Sequence, residues 1–196
     1  MKNILIGVGV IAVLGFIGFS WFTGKYDTMV ALQEEVTKSW ADVESQYQRR
    51  SDLIPNLVNT VKGYADHEKE TLTGVVEARA KATSVNIDPS NMTTADLQNF
   101  NAAQGGLGSA LSKLMVVVEK YPDLKANQNF MQLQAQLEGT ENRISVARTR
   151  YNESARMYNT YTKGFVNSII ANNSGFDEKP YFEAKEGTDV APEVAF

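Results

Sequence analysis

The 196-residue sequence contains no cysteine and one histidine, His67. Without thiols there are no disulfides, zinc fingers, thiol nucleophiles or lipidated-cysteine anchors, and the redox compartment stays open. A lone histidine also removes the usual metal chemistry of helical folds. A di-iron bundle needs two Glu-x-x-His pairs, yet Tyr64 stands three positions before His67. HEKE at 67–70 lacks the second histidine of a zinc-protease helix. There is no GxSxG elbow to present a serine. The glycine-rich GGLGS at 105–109 has no P-loop lysine, and no strand precedes it. Basic charge is not in excess either: 19 Lys and Arg face 23 Asp and Glu, a formal −4. That balance leaves no footprint for nucleic acid. The expectation is a non-enzyme with no cofactor, no metal and no nucleic-acid partner.

What the sequence has in quantity is one oily run. Ile4 to Phe22 carries no charge, and twelve of its nineteen positions are Ile, Leu, Val or Phe. As a helix it would be about 28 Å long, close to a bilayer's hydrocarbon core of about 30 Å. Ile4, Leu5, Ile6, Val8, Val10, Ile11, Val13, Leu14, Phe16, Ile17 and Phe19 form the lipid-facing body of this expected span. Trp21 and Phe22 stand where an interfacial aromatic belt belongs. The rival is a cleaved signal peptide, with Lys2 as a weak basic region and Gly18-Phe19-Ser20 as a small-x-small site. The run continues past that site through Trp21 and Phe22, which favours an uncleaved anchor. Lys2 on one side and Lys25 on the other leave the orientation open. Gly7, Ala12, Gly15 and Gly18 supply small residues but no strict GxxxG.

Behind an anchor at 1–24 the sequence divides into a helical body, 25–171, and an acidic tail, 172–196. The tail holds six acids and two bases, which leaves 17 of each sign in residues 1–171. Polar composition predicts a mobile tail, with Phe176, Tyr181 and Phe182 able to dock on a surface.

In the body, apolar residues recur every three or four positions. Met29, Val36, Trp40, Val43 and Tyr47 predict a first helix over about 25–48. Ser51 and Asp52 read as N-caps, and Pro55 suits a first turn, so a break is expected at 49–52; a kinked continuous helix is the alternative. The second helix then runs to about Thr83, with Leu57, Val61, Tyr64, Leu72, Val75 and Val76 inward. Residues 84–93 read as a loop, and Thr93 with Asp96 as a capping box. The third helix carries Leu97, Phe100, Leu107, Leu111, Leu114, Val118 and Tyr121. Gly105, Gly106 and Gly108 interrupt it, as they would at a close backbone approach or a bend. Pro122 ends it. A fourth helix, from Asn127 to Ala171, carries Phe130, Leu133, Leu137, Ile144, Tyr151, Ala155, Tyr158, Phe165 and Ile169. At about 65 Å it would outrun its partners and need further cover. The expected fold is all-α: one transmembrane helix, then an up-down-up-down antiparallel four-helix bundle packed in the coiled-coil manner.

RRSDLIPNLVNTVKGYADHE, VVEARAKA and EKYPDLKANQNFMQLQAQLEGTENRISVARTRYNESARMYN resemble the LemA family. The likeness covers about Tyr26 to Ala171, in order, behind an N-terminal anchor. It implies a bacterial inner-membrane, single-pass protein with an antiparallel helical bundle, no established enzymatic activity, and a link to envelope or membrane organisation. One departure is Gly164-Phe165-Val166, where the family pattern would place Phe-Pro. It puts the bend there in question.

Polar residues beside the stripes are the candidate contact and register positions: Arg49, Arg50, Asn56, Arg79, Glu141, Arg148, Asn152 and Asn159. They read first as ion pairs and amides fixing helix register. The sharper reading is a cleft or subunit contact built from Arg49, Arg50, Asn56, Arg148 and Asn152, with Arg49 and Arg50 able to meet lipid phosphate. The function expected is a self-associating, membrane-anchored scaffold whose partners are lipid and further copies of itself. An adaptor for a membrane protease or other integral enzyme is the alternative, with another membrane protein as partner.

Overall fold

In the computed structural model, which describes residues 2–183, all six regular elements are helices. Helix α1 runs unbroken from Lys2 to Lys62, about 90 Å at 1.5 Å per residue. The break expected at 49–52 is absent, and Pro55 lies inside the helix. A proline there removes the amide that would bond the carbonyl four residues back, at a cost of about 3 kcal/mol or more. That carbonyl belongs to Ser51, and Arg79 Nε donates to it at 2.9 Å. The acceptor that Pro55 orphans is thus paired from the next helix. The chain reverses later, at 63–68, where the Tyr64 and Ala65 amides both bond the Val61 carbonyl.

Along α1 the environment changes abruptly. Every described side chain from Ile4 to Phe22 is exposed; the side chain of Leu5 lies outside the described ones. From Met29 onward Val36, Trp40, Val43, Ile54, Leu57 and Val61 are fully buried. One rod therefore serves as an apolar span and as the spine of the body.

Helix α2 covers Lys69–Ser84, α3 Thr94–Val118, α4 Pro122–Lys125, α5 Gln128–Thr162 and α6 Phe165–Ser174. Thr93 and Asp96 form the expected capping box at the start of α3. Pro122 opens α4, and the Asn127 side chain caps α5 by accepting from the Phe130 amide at 3.1 Å. The single fourth helix expected to reach Ala171 is instead two, divided at Lys163-Gly164. Gly164 leaves helical geometry (ψ 140°), and Asn167 Nδ2 takes up the Tyr161 carbonyl at 2.8 Å. The bend exists without a proline. Gly175, at φ 75°, closes α6 in the left-handed cap that glycine adopts freely.

α1 packs against α5 and α2, and α2 against α3, whereas α3 and α5 stand apart across an open groove. Cross-contacts fix the directions. Asn127 meets Tyr64, Glu141 meets Arg50, and Tyr161 meets Lys25, so α5 descends beside α1 toward the apolar span. Two main cores result. The upper one is largely aliphatic and joins Ile54, Leu57, Val75, Leu107, Leu114 and Leu124. The lower one is aromatic, built around Trp40 with Phe100, Tyr151, Tyr158 and Phe182.

Four expected core residues are exposed: Tyr64, Val76, Phe165 and Ile169. Tyr64 falls just past α1, and Val76 lies one position off the buried Val75. Phe165 and Ile169 follow the Gly164 bend, which takes them out of register with the α5 stripe. The tail also departs from expectation. Residues 176–183 form an extended strap on the lower core, with Lys179, Pro180 and Phe182 buried. The remaining tail positions, Glu186, Asp189 and Glu193 among them, lie outside the described residues.

Candidate functional site

The groove between α3 and α5 has a volume of about 730 Å³. Tyr47 and Arg50 of α1 form its floor, Gln104, Gly105 and Gly108 one wall, and Leu137, Glu141 and Arg148 the other. The glycines do not mark a close backbone approach within this chain. A Cβ at Gly105, Gly106 or Gly108 would meet nothing within 4 Å, and α3 runs straight through them. Their lack of side chains widens the groove instead.

Arg50 holds the floor. It is 6% exposed; Nη1 donates to Glu141 Oε2 at 3.0 Å, and Nη2 to Gln104 Oε1 at 2.7 Å. The guanidinium also lies 5.0 Å from the Tyr47 ring centroid. Gln104 in turn donates from Nε2 to the Ala82 carbonyl at 3.2 Å. One buried guanidinium thereby ties α1, α3, α5 and the end of α2. Its planar fork suits that task better than a lysine's point charge. Glu141 is exposed, so the pair meets water on one side and escapes part of the desolvation cost of a buried bridge. Burial raises the Tyr47 hydroxyl pKa, opposed by the nearby Arg148 and Arg50 charges.

Three other expected residues share one face of α5 and hold the strap. Asn159 donates from Nδ2 to the Lys179 carbonyl at 2.7 Å and accepts the Lys179 amide at 2.9 Å. Asn152 repeats this with Phe182, at 2.8 and 2.9 Å. Arg148 Nη2 donates to the Glu183 carbonyl at 3.2 Å, with its guanidinium 4.5 Å from the Phe182 ring centroid. A carboxamide can both donate and accept, so each Asn satisfies both backbone groups of one strap residue. These amides fix register between α5 and the strap rather than between two helices.

The expected cleft is therefore only partly assembled. Arg50, Glu141 and Arg148 meet at the groove; Asn152 lies beyond it on the strap. Arg79 instead supports the Pro55 turn. Arg49 and Asn56 are exposed and do not line the groove.

Sequence reasoning missed Gln104, Lys179 and Tyr151 as polar anchors. Lys179 is 2% exposed, and its Nζ donates to the Pro89 and Ser90 carbonyls at 3.2 and 2.5 Å, tying strap to loop 85–93. Burial lowers its pKa, opposed by Asp177 and Asp88. Tyr151 donates to the Pro180 carbonyl at 3.0 Å, whereas the equally buried Tyr158 hydroxyl has no partner. Burial raises both hydroxyls, Tyr158 to about 12. The available signal was Phe176, Tyr181 and Phe182: three aromatics clustered at the start of a polar tail point to docking. Among the described residues no group of three or more His, Asp or Glu converges as a metal site.

A model described as the LemA family matches residues 39–196. Magnetosome protein MamQ 2 of Paramagnetospirillum magneticum is 28% identical over 203 residues, covering 95% of this chain and 74% of that protein. MamQ of Magnetospirillum gryphiswaldense is 23% identical, over 98% and 77%. Protein LemA of Metamycoplasma hominis is 22% identical over 165 residues, 84% of this chain and 72% of its own.

Proposed function

The chain belongs to the LemA family, and on that premise we propose a single-pass scaffold of the bacterial inner membrane, without enzymatic activity, whose copies associate through an antiparallel four-helix body. One observation carries the reading. Helix α1 passes from a wholly exposed apolar segment into the buried core without interruption. Gly18-Phe19-Ser20, the one plausible cleavage site, is helical and continuous with the body's spine. In lipid the exposed face of residues 4–22 is satisfied, whereas in water it would be an aggregation surface.

Association is assigned to the α3–α5 groove, and the occupant is a second copy. Its lining carries Arg50 and Arg148 beside Glu138 and Glu141. A surface with both signs can meet itself across a two-fold axis. Tethering in one bilayer raises the effective concentration of copies for each other. The motive once offered by an overlong fourth helix is gone, since α5 stops at Thr162. The charges in the groove are engaged with protein groups, as expected of a contact surface rather than of a catalytic pair.

Light scattering of the protein in mild detergent tests this, together with disulfide trapping of Ser109→Cys, a groove position on α3. More than one copy per particle and a trapped dimer are expected. A strict monomer with no trapped dimer would overturn the reading.

A further inference from the structure

The bend at Gly164 leaves an apolar surface exposed among the described residues. Phe165 is 88% exposed, Ile169 58% and Val166 44%, while Ile170 and Ala171 on the other side of α6 are buried against Met29 of α1. Helix α6 is thus apolar on two sides, and only one is used by the protein.

Its position says what covers the other. Lys25 Nζ lies 6.0 Å from the Trp21 ring centroid and 5.4 Å from that of Tyr161. Trp21 and Phe22 mark the end of the membrane span, so Tyr161 stands within about one helical turn of it. Helix α5 descends toward the bilayer as far as Thr162, and Phe165 follows directly after the Gly164 bend. The chain then turns back, bringing Ile170 and Ala171 to Met29 and Phe176 to within 5.3 Å of the Tyr26 ring. Phe165 consequently stands at the turn between α5 and α6, at the end of the body that carries the span.

We propose that the first half of α6, through Phe165, Val166 and Ile169, is an interfacial wedge that inserts into the lipid surface beside the anchor. Polarity along α6 fits this placement. The exposed residues of its first half are apolar, and those of its last turn are Asn172, Asn173 and Ser174. A helix lying against lipid at one end and water at the other needs that gradient. Lys25, held between Trp21 and Tyr161, is at headgroup level and suits anionic phosphate. With α1 this wedge makes a second membrane contact, which restricts swivelling of the body about the span.

The inference rests on the anchor reading, and its test separates the two. The native chain lacks cysteine, so single variants Val13→Cys, Val146→Cys, Phe165→Cys and Ile169→Cys take one nitroxide each. All four positions are exposed. In nanodiscs of phosphatidylcholine with phosphatidylglycerol, collision with oxygen and with a water-soluble nickel chelate is read by spin resonance. At 165 and 169 the oxygen-to-nickel ratio is expected to fall between those at 13 and 146, several-fold above the latter. If 13 is lipid-like while 165 and 169 match 146, the anchor stands and the wedge is wrong. Protection of 165 and 169 from both reagents would place a protein, not lipid, on this face and overturn the proposal. A water-like signal at 13 would overturn the anchor itself.

Discussion

The two ends of the body solve the same packing problem differently. Near the apolar span, Trp40 touches Phe100, Tyr151 and Phe182, and loop 85–93 and the strap close over that aromatic cluster. Away from the apolar span the core is mostly aliphatic, and the space between α3 and α5 stays open around Arg50. Large rings fill an irregular gap between two helices and a strap, and the Tyr151 hydroxyl reaches a strap carbonyl. Branched aliphatics suit regular helix seams. The aromatic core is closed within one chain, whereas the groove between α3 and α5 is left open.

If that contrast is right, the lower cluster depends on its central ring. Trp40→Ala should cost about 3–5 kcal/mol, measured by denaturant unfolding in detergent. A loss below about 1 kcal/mol would mean that the strap and loop can collapse inward. Next comes the clamp. Asn159→Ala leaves the buried Lys179 amide and carbonyl unpaired, at about 1–3 kcal/mol. Amide exchange should then rise in 176–183 before it rises in α3. Equal rises in both would argue against a separately held strap.

How far these features could be read beforehand follows from periodicity. The stripes on α1, α3 and α5 were legible because a three-four spacing has one helical solution, and the Thr93 cap because its side chain bonds locally. The continuity of α1 was not legible, since it depends on Arg79 reaching the Ser51 carbonyl from 28 positions away. Gly164 hid the end of α5, because glycine only permits a bend and tertiary contacts decide it. The candidate polar residues were expected to pair between helices, and two of them bond the strap instead. Asn152 and Asn159 serve the strap, which composition alone had marked as mobile.

A finer test within the aromatic half sets two buried tyrosines against each other. Tyr151→Phe loses the bond to Pro180 and should cost about 1 kcal/mol, whereas Tyr158→Phe deletes an unpaired hydroxyl and should be neutral or slightly stabilising. Both hydroxyls titrate above their ordinary value of 10.0, so the stability they provide is complete below that pH. It falls as pH rises through the folded values, about 12 for Tyr158. Melting curves from pH 9 to 12 should therefore slope downward, less steeply in Tyr158→Phe.

In the open half the smallest effect carries the sharpest sign. Gly105→Ala and Gly108→Ala add a methyl where nothing lies within 4 Å, so each should stabilise the isolated chain by about 0.5–1 kcal/mol. The same methyls narrow the groove, and copy number per particle should drop. Stabilisation with unchanged association would move the contact elsewhere.

All of this presumes that the oily segment stays joined to the rod that bears Trp40. Intact-mass analysis of protein recovered from washed native membranes reads that directly. The account predicts a chain that retains residues 4–22 and leaves the membrane only with detergent. A product beginning at Trp21 and released by alkaline carbonate would contradict it.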